Sequence, residues 1–218
     1  MENKAKCSSY QVEDLRRYRR ESDGLYNYLK PDGSPLSEEW FKSVGYFYGK
    51  FALVQRIDGT WNFLSQDGTI LSETWYRDAS IFSNGFARVK RDDGFMNFLK
   101  PDGKILTDEW YRYANHFGWN YTFVERNDNL WNCLKSDGKL LSNTWYQSID
   151  DFSDDLIMVK RDDGLWNFLR FDGTILTKEW YRKVLKLSNG AILIREDDMW
   201  NVMGKDGTFE KDEWEKKV

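Results

Sequence analysis

The feature that most constrains this chain is a repeat of about 35 residues. The stretch Trp61–Tyr76, WNFLSQDGTILSETWY, recurs as FMNFLKPDGKILTDEWY, LWNCLKSDGKLLSNTWY and LWNFLRFDGTILTKEWY. Looser copies stand near the start (LYNYLKPDGSPLSEEWF) and the end (MWNVMGKDGTFEKDEWE). Three markers keep the same period: Asn27, Asn62, Asn97, Asn132, Asn167 and Asn201; the Asp-Gly pairs beginning at Asp32, Asp67, Asp102, Asp137, Asp172 and Asp206; and Trp40, Trp75, Trp110, Trp145, Trp180 and Trp214. Self-similarity of this kind means that each unit is one supersecondary motif that buries its faces on its neighbours. The expectation is a single repeat domain over residues 1–218, with six units at approximately 6–40, 41–75, 76–110, 111–145, 146–180 and 181–214.

Within a unit, turn signals are dense. In the third, Ser83-Asn84-Gly85 holds the Asn-Gly pair that favours a two-residue hairpin. Asp92-Asp93-Gly94 and Pro101-Asp102-Gly103 follow. Between them lie FARVKR (Phe86–Arg91), FMNFLK (Phe95–Lys100) and KILT (Lys104–Thr107), each read as a strand. The segment TDEWY (Thr107–Tyr111) reads as one helical turn with Thr107 as its cap. Both faces of FARVKR and its sister strands carry apolar residues, so the sheets need cover on both sides. The fold class is therefore all-β, with tandem antiparallel meanders. A six-bladed β-propeller is the leading expectation and an open β-superhelix the alternative. The charged segment Asp14–Arg20 suits a first repeat whose outer face meets water.

The string VKRDDGLWNFLRFDGTIL (Val159–Leu176) resembles the WG repeat, and the resemblance covers nearly the whole chain. Asn stands where that family usually has Gly, giving W-N at Trp61, Trp131, Trp166 and Trp200; Tyr26 and Met96 replace the tryptophan. The resemblance implies an interaction scaffold with no shared chemistry.

Composition excludes several function classes. Aromatic residues make up 17% of the 218 residues, enough to build a core, while the net charge is −4. A mildly acidic chain with interspersed signs argues against nucleic-acid binding, which needs a basic face. The two cysteines show no disulfide framework: Cys7 lies in the lead-in, and Cys133 replaces the Phe or Val of its sister copies. The opening residues have no apolar run and no segment approaches a membrane span, so a cytoplasmic location is expected.

Candidate chemical groups each have a structural reading. The asparagine series suits hydrogen bonding to free backbone. The later tryptophans suit a wedge between units. The Asp-Gly pairs suit turn chemistry rather than calcium, which needs several clustered oxygens. Arg77, Arg112 and Arg182, and the pairs Lys90-Arg91 and Lys160-Arg161, suit local ion pairs beside aspartates. His116 is the only histidine and has no ligand-spaced partner. No cofactor, metal site or catalytic group is expected. What breaks the pattern is the first turn of each unit, polar in most copies but carrying Tyr48 in the second and Trp119 in the fourth. Tyr46, Phe47, His116 and Tyr121 lie beside them. These six residues form the candidate partner-binding set, since aromatics at turn tips serve no hairpin role and are enriched in hot spots. The expectation is a monomeric, non-enzymatic module for a protein partner, with lectin-like glycan binding as the alternative.

Overall fold

A computed structural model describes residues 14–195 and 197–216, so Cys7 lies outside the described residues. Among the described residues the strands are all antiparallel and no α-helix occurs. Each repeat forms its own sheet. The first holds β1 (Arg16–Arg19) and β2 (Tyr26–Leu29); the second β3 (Ser43–Tyr48), β4 (Phe51–Gln55) and β5 (Trp61–Ser65). The third holds β6 (Asp78–Ala79), β7 (Ala87–Lys90) and β8 (Met96–Leu99); the fourth β9 (Tyr113–Ala114), β10 (Tyr121–Glu125) and β11 (Trp131–Lys135). The fifth holds β12 (Ser148–Asp151), β13 (Leu156–Lys160) and β14 (Trp166–Arg170). The sixth is four-stranded, with β15 (Lys183–Lys186), β16 (Gly190–Ile194), β17 (Met199–Gly204) and β18 (Glu215–Lys216). The chain divides into two compact units: residues up to Trp110 with His116–Trp119, and Tyr111–Asn115 with Asn120 onward.

Turn chemistry sets the strand ends. At the first hairpin of repeat three, Asn84 and Gly85 both have positive φ, 50° and 85°, as a two-residue type I′ turn needs. At the other turns an aspartate folds onto its own loop. Asp67 accepts hydrogen bonds from the Thr69 N–H (3.0 Å) and hydroxyl (2.6 Å), and Asp172 and Asp206 repeat this on Thr174 and Thr208. These are Asx-turns, which need no cation. The Thr69 hydroxyl and N–H hold the Asp67 carboxyl below the usual carboxylate range.

Two expectations need correction. KILT is not a full strand. The chain pairs only at single residues: Ile105 opposite Leu99 in repeat three, and Ile70 opposite Leu64 in repeat two. It then bulges out and returns, so that Tyr76 bridges Trp61. The register between the two bridges slips by three residues, and a continuous fourth strand is impossible. TDEWY is not a helical turn either. The Thr107 hydroxyl accepts the Glu109 N–H (3.3 Å), a local turn, because the chain must come back to the sheet within four residues.

The cores lie between successive sheets. Ala52 and Val54 face Tyr28 and Phe41 of repeat one, while Phe51 and Leu53 on the other face of β4 pack against Phe63 and Ala87. Cys133 and Tyr146 of repeat four meet Ile157 and Val159 of repeat five, and Phe168 and Tyr181 meet Ala191 and Leu193 of repeat six. Both faces of the sheets of repeats two and five are thus covered, as their composition requires. The contact between repeats is close. An added Cβ on Gly68 would lie 2.1 Å from the Leu36 carbonyl oxygen, and one on Gly103 would lie 2.3 Å from that of Leu71. These glycines, with φ of 92° and 79°, satisfy their own turn and seat it on the preceding repeat.

Candidate functional site

The asparagine series is fully occupied with structure. Asn62 donates to the carbonyls of Ser72 (2.7 Å) and Thr74 (3.0 Å) and accepts from the Phe63 (2.8 Å) and Ser72 (3.3 Å) N–H groups. Asn97, Asn132 and Asn167 bond equivalent carbonyls in their own repeats. The side chain stands in for the ladder lost where the fourth strand breaks. Its two donors and its oxygen are used, and it is buried, so nothing is left for a ligand. Among the described residues no buried side-chain nitrogen or oxygen lacks a partner, and no cluster of metal-binding groups occurs.

The later tryptophans are wedges with a cap that sequence reasoning missed. Trp75 packs on Phe41 of repeat one (6.3 Å between ring centroids), Trp145 on Tyr111 and Trp214 on Tyr181. Over each ring lies an arginine from the turn before the central Asn strand. Arg56 is 3.6 Å from the Trp75 centroid, Arg91 4.3 Å from Trp110, Arg126 4.4 Å from Trp145 and Arg161 4.2 Å from Trp180. Each guanidinium also meets a carboxylate: Glu39 for Arg56 (2.5 Å), Asp93 for Arg91 (2.6 Å), Asp128 for Arg126 (2.5 Å) and Asp163 for Arg161. The rings are therefore not open stacking platforms. The signal was present in the sequence, because Arg20, Arg56, Arg91, Arg126, Arg161 and Arg195 recur with the period. Arg112 and Arg182 pair with Glu125 (3.2 Å) and Asp198. Arg77 reaches the Asp92 carbonyl (3.4 Å).

Cys133 occupies the site of Phe63, Phe98 and Phe168 and is fully buried and free. Burial pushes its thiol up to about 12, which removes it as a nucleophile.

The six candidate partner-binding residues fall into different environments. A bulge in β3 between Val44 and Phe47 re-aims the strand. It turns Tyr46 and Tyr48 out, 69% and 55% exposed. It turns Phe47 in against Tyr28, 4.9 Å between centroids. Trp119 is 86% exposed, the most exposed large hydrophobic side chain among the described residues. His116 is exposed on the same loop. Between them in the chain, Phe117 anchors the loop by stacking on Phe86 (4.2 Å), and its carbonyl accepts from the Asn84 amide (3.0 Å). Tyr121 is half-buried, packed on Phe171 (4.9 Å), and donates its hydroxyl to Asp151 (2.6 Å). Burial and then this carboxylate push the phenol well above its usual range. Phe47 and Tyr121 thus serve packing, while Tyr46, Tyr48, His116 and Trp119 present surface.

Comparison with solved structures returns proteins at low similarity. The computationally designed protein Ika8 is 16% identical, with a TM-score of 0.37 over 91% of this chain and 70% of that one. BamB from Moraxella catarrhalis is 12% identical, with a TM-score of 0.33 over 94% and 73%. The WD40 β-propeller domain of Doa1 is 13% identical, with a TM-score of 0.30 over 89% and 73%. Likeness at these scores carries no argument, and the all-β architecture rests on the strands themselves. No curated protein sequence matches significantly. Residues 63–95 match the family model of a WG containing repeat, which supports the resemblance to WG repeats over that stretch.

Proposed function

We propose that this chain is a non-enzymatic interaction module that holds a protein partner through the aromatic turn tips of repeats two and four. The observation that carries this reading is Trp119, 86% exposed at the tip of a loop whose neighbouring Phe117 is buried. An indole presented to water on an anchored loop serves neither turn nor core, and large exposed aromatics mark interaction surfaces. Tyr46 and Tyr48 extend the same reading to repeat two. The expected setting is the cytoplasm. A glycan is disfavoured by the capped tryptophans, which leave no repeated set of free platforms, and by tips that differ between repeats.

The test is affinity capture from the native host with the full chain and with Trp119→Ala, beside a glycan array. A protein recovered by the wild type and lost with the variant supports the reading. Equal recovery, or a glycan bound with no protein recovered, overturns it.

A further inference from the structure

The first hairpins of repeats two, three and four share a construction. In each, one phenylalanine near the tip turns inward onto the residue that follows the asparagine of the preceding repeat. Phe47 sits on Tyr28 (4.9 Å between centroids), Phe82 on Phe63 (4.9 Å) and Phe117 on Phe98 (4.6 Å). Phe82 also meets Phe51 (5.1 Å) and Phe117 meets Phe86 (4.2 Å), so the three hairpins are stitched in series. The residue just before each of these wedges is turned to water: Tyr46, Ile81 and His116. Ile81, 45% exposed, is thus the repeat-three member of a row whose two ends alone stood out in the sequence. The row, with Tyr48 and Trp119, lies in the compact unit that holds residues up to Trp110 and His116–Trp119. Packed sheets stand about 10 Å apart, so the row advances by that step from one repeat to the next.

Charge and area limit what can lie on it. Residues 44–51, 79–86 and 114–121 hold one charged side chain, Lys50, beside His116, in a chain that is 31% charged. The matching stretch of repeat five carries Asp150, Asp151, Asp154 and Asp155, so this neutrality is particular to repeats two to four. Lys50 is exposed and forms no ion pair among the described residues. Arg17 lies 5.7 Å from the Tyr46 ring centroid, so both cations stand at the repeat-two end. At about 150–250 Å² per aromatic side chain, the exposed parts of Tyr46, Tyr48 and Trp119 offer about 400 Å². That is about half of the roughly 800 Å² that each partner contributes to a stable complex of folded proteins. The row therefore suits a single element of a partner rather than a second copy of this chain.

Resting on the turn-tip reading, we propose that the row receives an amphipathic helix of a partner protein, laid across repeats two to four. Seven residues of α-helix advance about 10.5 Å and complete almost two turns. Apolar side chains at every seventh position therefore return to one face at the step of the row. They meet Tyr46, Ile81 and His116 in turn, with Tyr48 and Trp119 closing the two ends. Acidic residues in the first turn of the helix meet Lys50 and Arg17, and there they also complement the helix dipole.

The probe is a fluorescein-labelled Ala/Gln helix of about 20 residues, with Leu at every seventh position and two Glu in its first turn. It is titrated into the full chain and followed by fluorescence anisotropy. A helix of the same composition with Leu at every fifth position scatters them over different faces and is the control. The wild type is expected to bind the first at least about tenfold more tightly than the second. Ile81→Asp should weaken binding of the first by about tenfold or more, because it sets an unpaired charge against the apolar stripe. Ile81→Ala, which adds no charge, should weaken it in the same direction. Lys50→Glu should also weaken it, and a probe with Gln in place of both Glu should be indifferent to that change. No binding by the wild type, equal affinity for the two spacings, or unchanged affinity in both Ile81 variants overturns the proposal. Self-association of the chain that Ile81→Asp abolishes overturns it in favour of a second copy. The two readings fail separately. A captured protein that is lost with Trp119→Ala but retained with Ile81→Asp overturns the helix and leaves the turn tips standing. One retained with Trp119→Ala overturns the turn-tip reading, and the helix with it.

Discussion

The outer half of each repeat and its first hairpin follow opposite rules. The outer half, from the asparagine strand through the Asp-Gly turn to the Trp-Tyr pair, is almost the same in every copy. Its asparagines are buried at 0–1% exposure and donate to carbonyls of their own repeat at 2.7–3.1 Å where the fourth strand breaks. The first hairpin varies. Its opening strand has two residues in β6 and β9, four in β12 and β15, and six with a bulge in β3. Its tip carries Tyr48, Asn84, Trp119 or Asp154. The difference follows from what each part must satisfy. The outer half has buried donors and acceptors that accept one solution, whereas the hairpin tip has only a turn to close and water around it. Constancy therefore marks structure in this chain, and variation marks turn tips that face water.

The sharpest way to break the contrast is to disturb an outer turn where it touches the preceding repeat. Gly103→Ala places a methyl against the Leu71 carbonyl and holds alanine at a positive φ. The loss should be about 4 kcal/mol, from left-handed strain plus overpacking, measured by urea denaturation. Gly94→Ala is the control: the same kind of φ with only the Lys90 side chain at 3.9 Å should cost about 1–2 kcal/mol. Equal losses at the two sites would dissolve the seat on the preceding repeat.

Next in size is Asn132→Leu. It strands the Ser142 and Thr144 carbonyls and the Cys133 N–H, and should lower stability by about 3 kcal/mol while leaving partner binding intact. An unchanged melting temperature would show that the broken strand needs no surrogate.

Acid should act through the turn aspartates. Asp67, held by Thr69, and Asp163, held first by Arg161, have folded pKa values below their unfolded ones. Their stabilisation is complete above the unfolded value and is lost as pH falls through the folded one. The melting temperature should therefore drop between about pH 5 and pH 2, and Asp67→Asn, which keeps an acceptor oxygen, should flatten that slope. A slope unchanged in the variant would remove the turn carboxylate from the account.

Smaller still is the arginine cap. Arg161→Met keeps the aliphatic cover on Trp180 and removes the charge, so about 0.5–1 kcal/mol should be lost, read from the urea midpoint. The smallest effect on stability belongs to the tips: Trp119→Ala should stay within about 0.5 kcal/mol of wild type. A large loss there would make Trp119 structural and erase the contrast between the two halves.

Much of this was legible in the sequence. The period, the Asp-Gly turns, the two-sided burial of the central strands and the structural use of the asparagines all follow from residue type and spacing. The broken fourth strand was not legible. KILT has strand composition, and only the return of Tyr76 to Trp61 shows that three residues must loop out between the two bridges. The arginine caps escaped because a guanidinium beside an aspartate already has a sufficient explanation in local charge. Stacking depends on a ring 19 residues further on, as with Arg56 and Trp75. Within the candidate set, Phe47 and Tyr121 could not be told from their neighbours, because a single-residue bulge decides which side of β3 faces out and a partner two strands away holds Tyr121.

The bridge from Tyr76 back to Trp61 has a consequence for how such a chain can be lengthened or shortened. Repeat two begins its hydrogen bonding at Lys42, which donates to Gln55, and closes it at Tyr76; repeat five runs the same way from Gln147 to Tyr181. A segment excised or duplicated between those joints carries a closed circuit of main-chain bonds, and its shared core faces are met by equivalent faces on either side. A junction placed inside the asparagine-bonded bulge would instead divide one circuit between two copies. Growth of the array by recombination is thus permitted at one phase of the period and penalised at the others.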